Sequence, residues 1–269
     1  MDNRPIGVFD SGLGGLTAVR QLEAVLPHER IVYFGDTGRV PYGTRGEDVI
    51  RRYAAQDCLF LEQQDAKIIV AACGTVSSVA NADLRARAVP TIDVVEPTAK
   101  AAVAATHNNR IGIIGTAATV RSGSYAGVIT ALRPETQVFG QACSMLVPLV
   151  ENGWIGEDDE IARLAVARYL QPLKEQQIDT LILGCTHFPL LTAHIRAFLG
   201  DEVTLISAGQ EAARACAKLL AGTDALCDPA QDGGTVFYVS DLSQNFAEVS
   251  RSFLGREATD IRLVDIHSL

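Results

Sequence analysis

Basic residues are in short supply. The 269-residue chain carries 23 Lys and Arg against 32 Asp and Glu, a net charge of −9 with a pI near 5.0. That leaves no basic footprint for nucleic acid or an anionic membrane, and an acid surplus of this kind also keeps many cytosolic proteins in solution, so charge names no partner. Long apolar runs are missing as well. No stretch approaches the roughly 18 uncharged apolar residues of a membrane span. Met1 leads straight into strand-like sequence without a signal-peptide pattern, so a cytoplasmic location is expected. The six cysteines, at 58, 73, 143, 185, 216 and 227, form no C-x-x-C pair and no tight framework. Free thiols in a reducing compartment follow, and any that act should act as thiolates. What is present is core-forming material, 48% hydrophobic residues, enough for one large α/β domain or two ordinary ones.

The chain opens with a strand, Ile6 to Phe9, a glycine-rich turn, Asp10-Ser11-Gly12-Leu13-Gly14-Gly15, and a helical pattern running to Pro27. Such a turn can aim backbone N–H groups at an anion or serve only to turn the chain. The spacing is not the G-x-G-x-x-G of a dinucleotide site. A second strand, Ile31 to Gly35, leads into the polar loop Asp36 to Thr44, where Pro41, Tyr42 and Gly43 are candidates for substrate contact. A helix is expected from about Gly46 to Asp65.

The apolar strand at Lys67 to Ala72 then ends in Cys73-Gly74-Thr75, with helix expected toward Arg87. The same pattern returns at Leu181 to Leu191, LILGCTHFPLL: an apolar strand, a small residue, then Cys185-Thr186-His187, with Phe188 to Leu191 left to core packing. Ile6 to Ser11 is echoed by Ile111 to Thr116. The chain therefore reads as two pseudo-symmetric α/β domains with mainly parallel sheets facing one cleft, residues 1–97 with 208–269 carrying Cys73 and residues 98–207 carrying Cys185. Between them, Val89 to Val95 reads as a strand and Pro97 as a helix start. Thr116 and Thr119 place hydroxyls at another helix N-terminus, able to bind a carboxylate or to cap the helix. Further strands are expected at Val138 to Gln141, Val203 to Ile206, Val236 to Val239 and Ile261 to Val264. Met145 to Trp154 sets Glu151 in an apolar context where a buried carboxylate is plausible. Helices are expected at Asp158 to Gln176, with Ile161, Leu164, Ala165 and Tyr169 facing inward, at Ala208 to Leu220, and at Leu242 to Leu254.

Two thiols facing one cleft suit a specific chemistry. A thiol ionises near pH 8.5 in the unperturbed state, low enough for a helix terminus or a protonated histidine to turn it into a base at neutral pH. One thiolate and one thiol on opposite faces of a flat carbanion remove a proton from carbon on one side and return one on the other, inverting the centre. Such a reaction runs both ways, which accounts for a matched pair.

The combination DSGLGG (Asp10 to Gly15), VPYG (Val40 to Gly43), ACGT (Ala72 to Thr75) and GCTHFPLL (Gly184 to Leu191) resembles the glutamate racemases, cofactor-independent enzymes of the aspartate/glutamate racemase superfamily. The resemblance covers essentially the whole chain. It implies that Cys73 is the base toward D-glutamate and Cys185 the base toward L-glutamate. It implies that Asp10, Ser11, Tyr42, Gly43, Thr75 and Thr186 surround the substrate, that His187 and Glu151 assist proton movement, that no cofactor or metal is used, and that the chain forms a homodimer. The product, D-glutamate, would feed peptidoglycan synthesis. The short N-terminus leaves no room for the extension with which some members bind a cell-wall precursor as activator, so no such regulation is expected. One departure stands out: the family pattern is C-N-T, and Gly74 replaces the asparagine that would hold the substrate's polar groups, leaving a backbone N–H or a water in its place.

Other readings are weaker. A pyridoxal-phosphate enzyme needs a Schiff-base lysine, and the chain has only Lys67, Lys100, Lys174 and Lys218, none in a recognisable motif. A zinc site from Cys73, Cys185 and His187 fits no structural zinc spacing. A cysteine hydrolase pairing Cys185 with His187 is the best enzymatic rival, though residues two apart on a turn do not obviously set imidazole against sulfur. A two-domain amino-acid-binding protein would share the cleft without needing the thiols.

Overall fold

Strands of a parallel sheet are covered on both faces, so their sequences run apolar without alternation; the fully buried runs Ile6–Asp10, Ile68–Ala71 and Thr180–Leu183 are of this kind. The computed structural model describes residues 1–242 and 246–266. Its strands are β1 (Ile6–Asp10), β2 (Arg30–Gly35), β3 (Ile68–Ala71), β4 (Thr91–Asp93), β5 (Arg110–Gly115), β6 (Gln137–Ala142), β7 (Thr180–Leu183), β8 (Thr204–Ser207), β9 (Gly234–Val239) and β10 (Ile261–Leu263). They form a six-stranded sheet in the order β10-β9-β2-β1-β3-β4 and a four-stranded sheet in the order β6-β5-β7-β8. Every pairing among the described residues is parallel.

The internal repeat is visible in the strand orders. β2-β1-β3-β4 of the first sheet corresponds to β6-β5-β7-β8 of the second, so β1 matches β5 and β3 matches β7. In each sheet the chain leaves the central strand to one side and returns on the other. That reversal opens a crevice at the carboxyl ends of the central strands. Ser11 follows β1 and Cys73 follows β3; Thr116 follows β5 and Cys185 follows β7.

Four expectations need correction. Val89 to Val95 is not one strand: β4 ends at Asp93 and a helix, Val95–Ala105, begins before Pro97. The reason is Asp93, whose Oδ1 accepts the N–H groups of Val95 (2.8 Å) and Glu96 (3.0 Å) and starts the helix early. The segment after Cys73 is two short helices, Gly74–Val79 and Asn81–Arg85, broken at Ala80. The helix Glu160–Glu175 buries Ala162, Val166, Leu170 and Leu173, while Ile161 and Leu164 are 53% and 54% exposed. A frame one residue off turns the inward face by about 100°. Glu151, expected in an apolar interior, has a side chain 46% exposed at the end of the helix Leu146–Glu151. The last helix spans Phe246–Leu254; the part expected at residues 243–245 lies outside the described residues. Among the described residues no helix is long and apolar enough to cross a membrane.

Candidate active site

The carboxyl ends of the two sheets enclose a cavity of about 340 Å³. Of the residues picked out from sequence, Ser11, Pro41, Tyr42, Gly43, Cys73, Gly74, Thr75, Thr116, Glu151, Cys185, Thr186 and His187 line it. Asp10 and Thr119 do not; they stand directly behind lining residues. Gly12, Val40, Thr44 and Gly184, which belong to the sequence motifs and the Asp36 to Thr44 loop, also line the cavity, as do Ala117, Ser144, Val147 and Pro148, to which sequence reasoning assigns no role at the site. Ser144 was findable, since it follows β6 on the same sheet edge as the others. Val147 and Pro148 form an apolar wall that no polar motif announces. No lysine is among the lining residues.

Cys73 stands at the start of the helix Gly74–Val79, and its thiol donates to Ser11 Oγ at 3.5 Å. Burial, reinforced by the nearby Asp10 carboxylate, pushes this thiol up to about 12 against the pull of Ser11 and the backbone N–H of Val76. Cys73 is therefore a neutral thiol. Asp10 is buried beneath the glycine-rich turn, where Oδ2 accepts the Gly12 N–H at 3.0 Å. Burial raises its pKa, while the His187 charge and the N–H groups of Gly15 and Gly12 work in the opposite direction.

The turn's glycines serve close approach. A Cβ at Gly14 would lie 2.1 Å from Thr186 Oγ1 and 2.6 Å from His187 Cε1, and one at Gly15 would lie 2.5 Å from Asp10 Cβ. Thr17 Oγ1 fastens the same junction, 2.8 Å from Gly14 O and 2.9 Å from Thr186 O. The DSGLGG turn of the first sheet thus packs directly against the Thr186-His187 segment of the second.

On that second side, Cys185 Sγ lies 3.6 Å from His187 Nδ1, and His187 Nε2 lies 3.0 Å from Glu151 Oε1. A separation of two residues, which did not obviously set imidazole against sulfur, does so here. The chain turns at Cys185-Thr186-His187 into the 3-10 helix Phe188–Leu191, and Phe253 meets the imidazole edge-on with centroids 5.1 Å apart. Burial disfavours charge on this ring but is outweighed by Cys185 and by Glu151 at its two nitrogens, and the imidazole is raised to about 10.

Between the two sides runs a hydroxyl chain, Thr75 Oγ1 to Thr116 Oγ1 at 2.9 Å and Thr116 Oγ1 to Thr119 Oγ1 at 3.0 Å. Thr116 also caps the helix Ala117–Ser122 by accepting the Thr119 N–H at 3.2 Å, so it caps and lines the cavity at once. Gly74 is where the two sides come closest: a Cβ there would sit 2.1 Å from the carbonyl oxygen of Gly184. An asparagine side chain has no room in this backbone arrangement. Tyr42 is 1% exposed and its hydroxyl points into a pair of carboxyl groups, on Asp36 and Asp57, neither of which lines the cavity.

A sequence profile of the Asp/Glu/hydantoin racemase family matches residues 17–216. Glutamate racemase of Geobacter metallireducens is 41% identical over 266 residues, 98% of each chain. That of Neisseria meningitidis serogroup B is 46% identical, over 98% of this chain and 97% of its own. Among solved structures, glutamate racemase from Francisella tularensis in complex with D-glutamate superposes with a TM-score of 0.93 at 36% identity, covering 100% of both chains.

Proposed function

We propose that this chain, which belongs to the Asp/Glu/hydantoin racemase family, interconverts L-glutamate and D-glutamate through its two cavity-lining cysteines. The observation that carries the mechanism is the pairing of Cys73 and Cys185, each just beyond a strand of a different sheet and both lining one cavity of about 340 Å³. In the direction from L-glutamate, the Cys185 thiolate takes the Cα proton while Cys73, a neutral thiol, gives its proton to the opposite face. The product leaves with a thiol at Cys185 and a thiolate at Cys73, the arrangement from which the reverse reaction starts.

The remaining residues have supporting roles in this reading. His187, charged and braced by Glu151, stabilises the Cys185 thiolate and relays its proton to solvent at the exposed Glu151. Burial and the Asp10 charge hold the Cys73 thiol in its protonated form, and Ser11 Oγ accepts its hydrogen bond. Thr75, Thr116 and Thr186 hydroxyls, with the backbone N–H groups of Gly43 and Gly74, hold the substrate's carboxylates and amine; Thr119 orients Thr116, and Pro41 and Tyr42 shape the wall. Thiol acid/base chemistry of this kind calls on no cofactor. The domain division at 1–97 with 208–269 and 98–207, a homodimeric and cytoplasmic enzyme, and D-glutamate supply for peptidoglycan belong to the same proposal.

Incubation of the purified protein with L-glutamate in deuterium oxide tests it. D-glutamate carrying deuterium at Cα is the expected product, and L-glutamate recovered without label or inversion would sink the reading. Aspartate run in parallel sets the substrate preference. One observation favours a second reading: Cys185, His187 and Glu151 are also spaced as a nucleophile, a base and an orienting carboxylate. A hydrolase would pass through a thioester on Cys185, visible as a mass adduct in the trapped protein, and would not need Cys73.

A further inference from the structure

Five of the cavity-lining residues, Val40 to Thr44, belong to one loop, and that loop is held from beneath by groups that never reach the cavity. The Tyr42 hydroxyl lies against Asp36 Oδ2 and 3.2 Å from Asp57 Oδ2. Arg39 closes the arrangement, with Nε 2.5 Å from Asp36 Oδ2, Nη2 3.1 Å from Asp57 Oδ1 and Nη1 2.6 Å from Gln56 Oε1. Its guanidinium also covers the Tyr53 ring at 4.0 Å. Ser240, beyond the end of β9, donates to Asp36 Oδ1 at 2.8 Å. Both carboxylates are fully buried.

The proton count is the informative part. A phenol has one proton to donate, and Tyr42 stands between two carboxyl oxygens. The closer contact is to Asp36, which also receives Arg39 and Ser240, so Asp36 accepts the Tyr42 hydrogen bond and the phenol keeps its proton. Asp57 Oδ2 can then bond to the Tyr42 oxygen only by donating, which requires Asp57 to be the neutral acid. With Arg39 positive and Asp36 negative, the buried cluster carries no net charge, the arrangement a low-dielectric site favours. The charged groups facing Asp57 are Asp36, Arg39 and, from β1, Asp10; burial, with the Asp36 and Asp10 charges, outweighs the opposing pull of Arg39 and the Tyr42 hydroxyl and holds the Asp57 proton on, well above the usual carboxylate range.

We propose that Arg39, Asp36 and a protonated Asp57 form a charge-neutral clamp on Tyr42 that positions the Val40–Thr44 wall of the cavity, making these three positioning residues for the racemisation proposed above. The wall has little slack at its far end, since a Cβ at Gly43 would lie 2.9 Å from Thr116 Cβ on the opposite side. A shift of Tyr42 therefore moves Gly43 against the hydroxyl chain of the second sheet.

The test pairs Tyr42→Phe with Asp57→Asn and Asp57→Ala, and follows glutamate kinetics together with backbone hydrogen exchange over residues 40–45. Tyr42→Phe keeps the packed ring and removes the clamped hydroxyl. It is expected to raise KM for both enantiomers about tenfold with kcat within about threefold, and to speed exchange in the loop, on the scale of one lost buried charge-assisted hydrogen bond. Asp57→Asn, a neutral isostere, is expected to leave both readouts near those of the unsubstituted protein, whereas Asp57→Ala reproduces Tyr42→Phe. Unchanged KM and exchange in Tyr42→Phe, or equal damage from Asn and Ala at position 57, would overturn the clamp. If the unsubstituted protein turns over no glutamate, it is the reading of the site that fails, and loop exchange in the three variants still decides the clamp.

Discussion

The Nδ1 of His187 lies 3.6 Å from the sulfur of Cys185, with only Thr186 between them in the chain. That contact, together with Glu151 at the other ring nitrogen, raises the imidazole to about 10, above its ordinary 6.5. A basic group whose folded value is raised contributes stability that is full below the unfolded value and is lost as pH rises through the folded one. Thermal melts of the unsubstituted protein and His187→Gln should therefore differ most below about pH 6.5 and converge between there and about pH 10. A gap that widens with pH would contradict the assignment. In kinetics, the alkaline fall of kcat/KM governed by this imidazolium should be absent from His187→Gln.

Cys73 and Cys185 are both buried, but of the two it is Cys185 that has an imidazole beside its sulfur. Cys73 is pushed up to about 12 by burial and the Asp10 charge, whereas Cys185 faces a raised histidine. Alkylation reacts with thiolate. Iodoacetamide at pH 7.5 should label Cys185 ahead of Cys73 and ahead of the buried Cys58 and Cys216, both also raised to about 12. Peptide mapping of partially labelled protein reads the order, and glutamate in the cavity should slow labelling of Cys185. Earlier modification of Cys73 would count against the asymmetry.

Each cysteine replaced singly by alanine should lose racemisation in both directions, by about 10² to 10⁴, because every turnover uses one thiol as base and the other as acid. Circular dichroism at substrate saturation measures it. An alanine variant at Cys73 that still racemises at near-normal rate would leave the two-base mechanism without support.

Gly74 and Gly184 are backbone against backbone, so a side chain at position 74 has nothing flexible to displace. Gly74→Ala should destabilise by about 1 to 3 kcal/mol, the usual cost of overpacking, and lower kcat/KM by moving Cys73 away from Cys185. Denaturant melts and kinetics on the same preparation separate the two effects. Full stability and activity would mean that the two sides are not held this close in solution.

The inward face of the helix Glu160–Glu175 can be tested by a matched pair. Leu170, fully buried, should cost about 2 to 5 kcal/mol when cut to alanine. Ile161, mostly exposed, should cost within about 0.5 kcal/mol. The reverse order would restore the face that apolar periodicity first suggests.

The sequence by itself determined the repeated strand, small residue, cysteine and threonine, and with it two α/β halves carrying a thiol at each carboxyl edge. Those features are local: a short apolar run ending in Gly or Ala states where a buried parallel strand stops, whatever lies around it. Only the tertiary structure decided which groups stand in the cavity and in what charge state. Asp10 lies behind Cys73, the Tyr42 hydroxyl turns to Asp36 and Asp57, Glu151 sits at an open rim, and His187 folds back onto Cys185. Each of these depends on burial and on partners brought from other elements, such as Glu151 to His187 or Asp57 to Arg39 and Tyr42. Desolvation and nearby charge, which set protonation, are properties of that three-dimensional neighbourhood and have no signature in residue spacing.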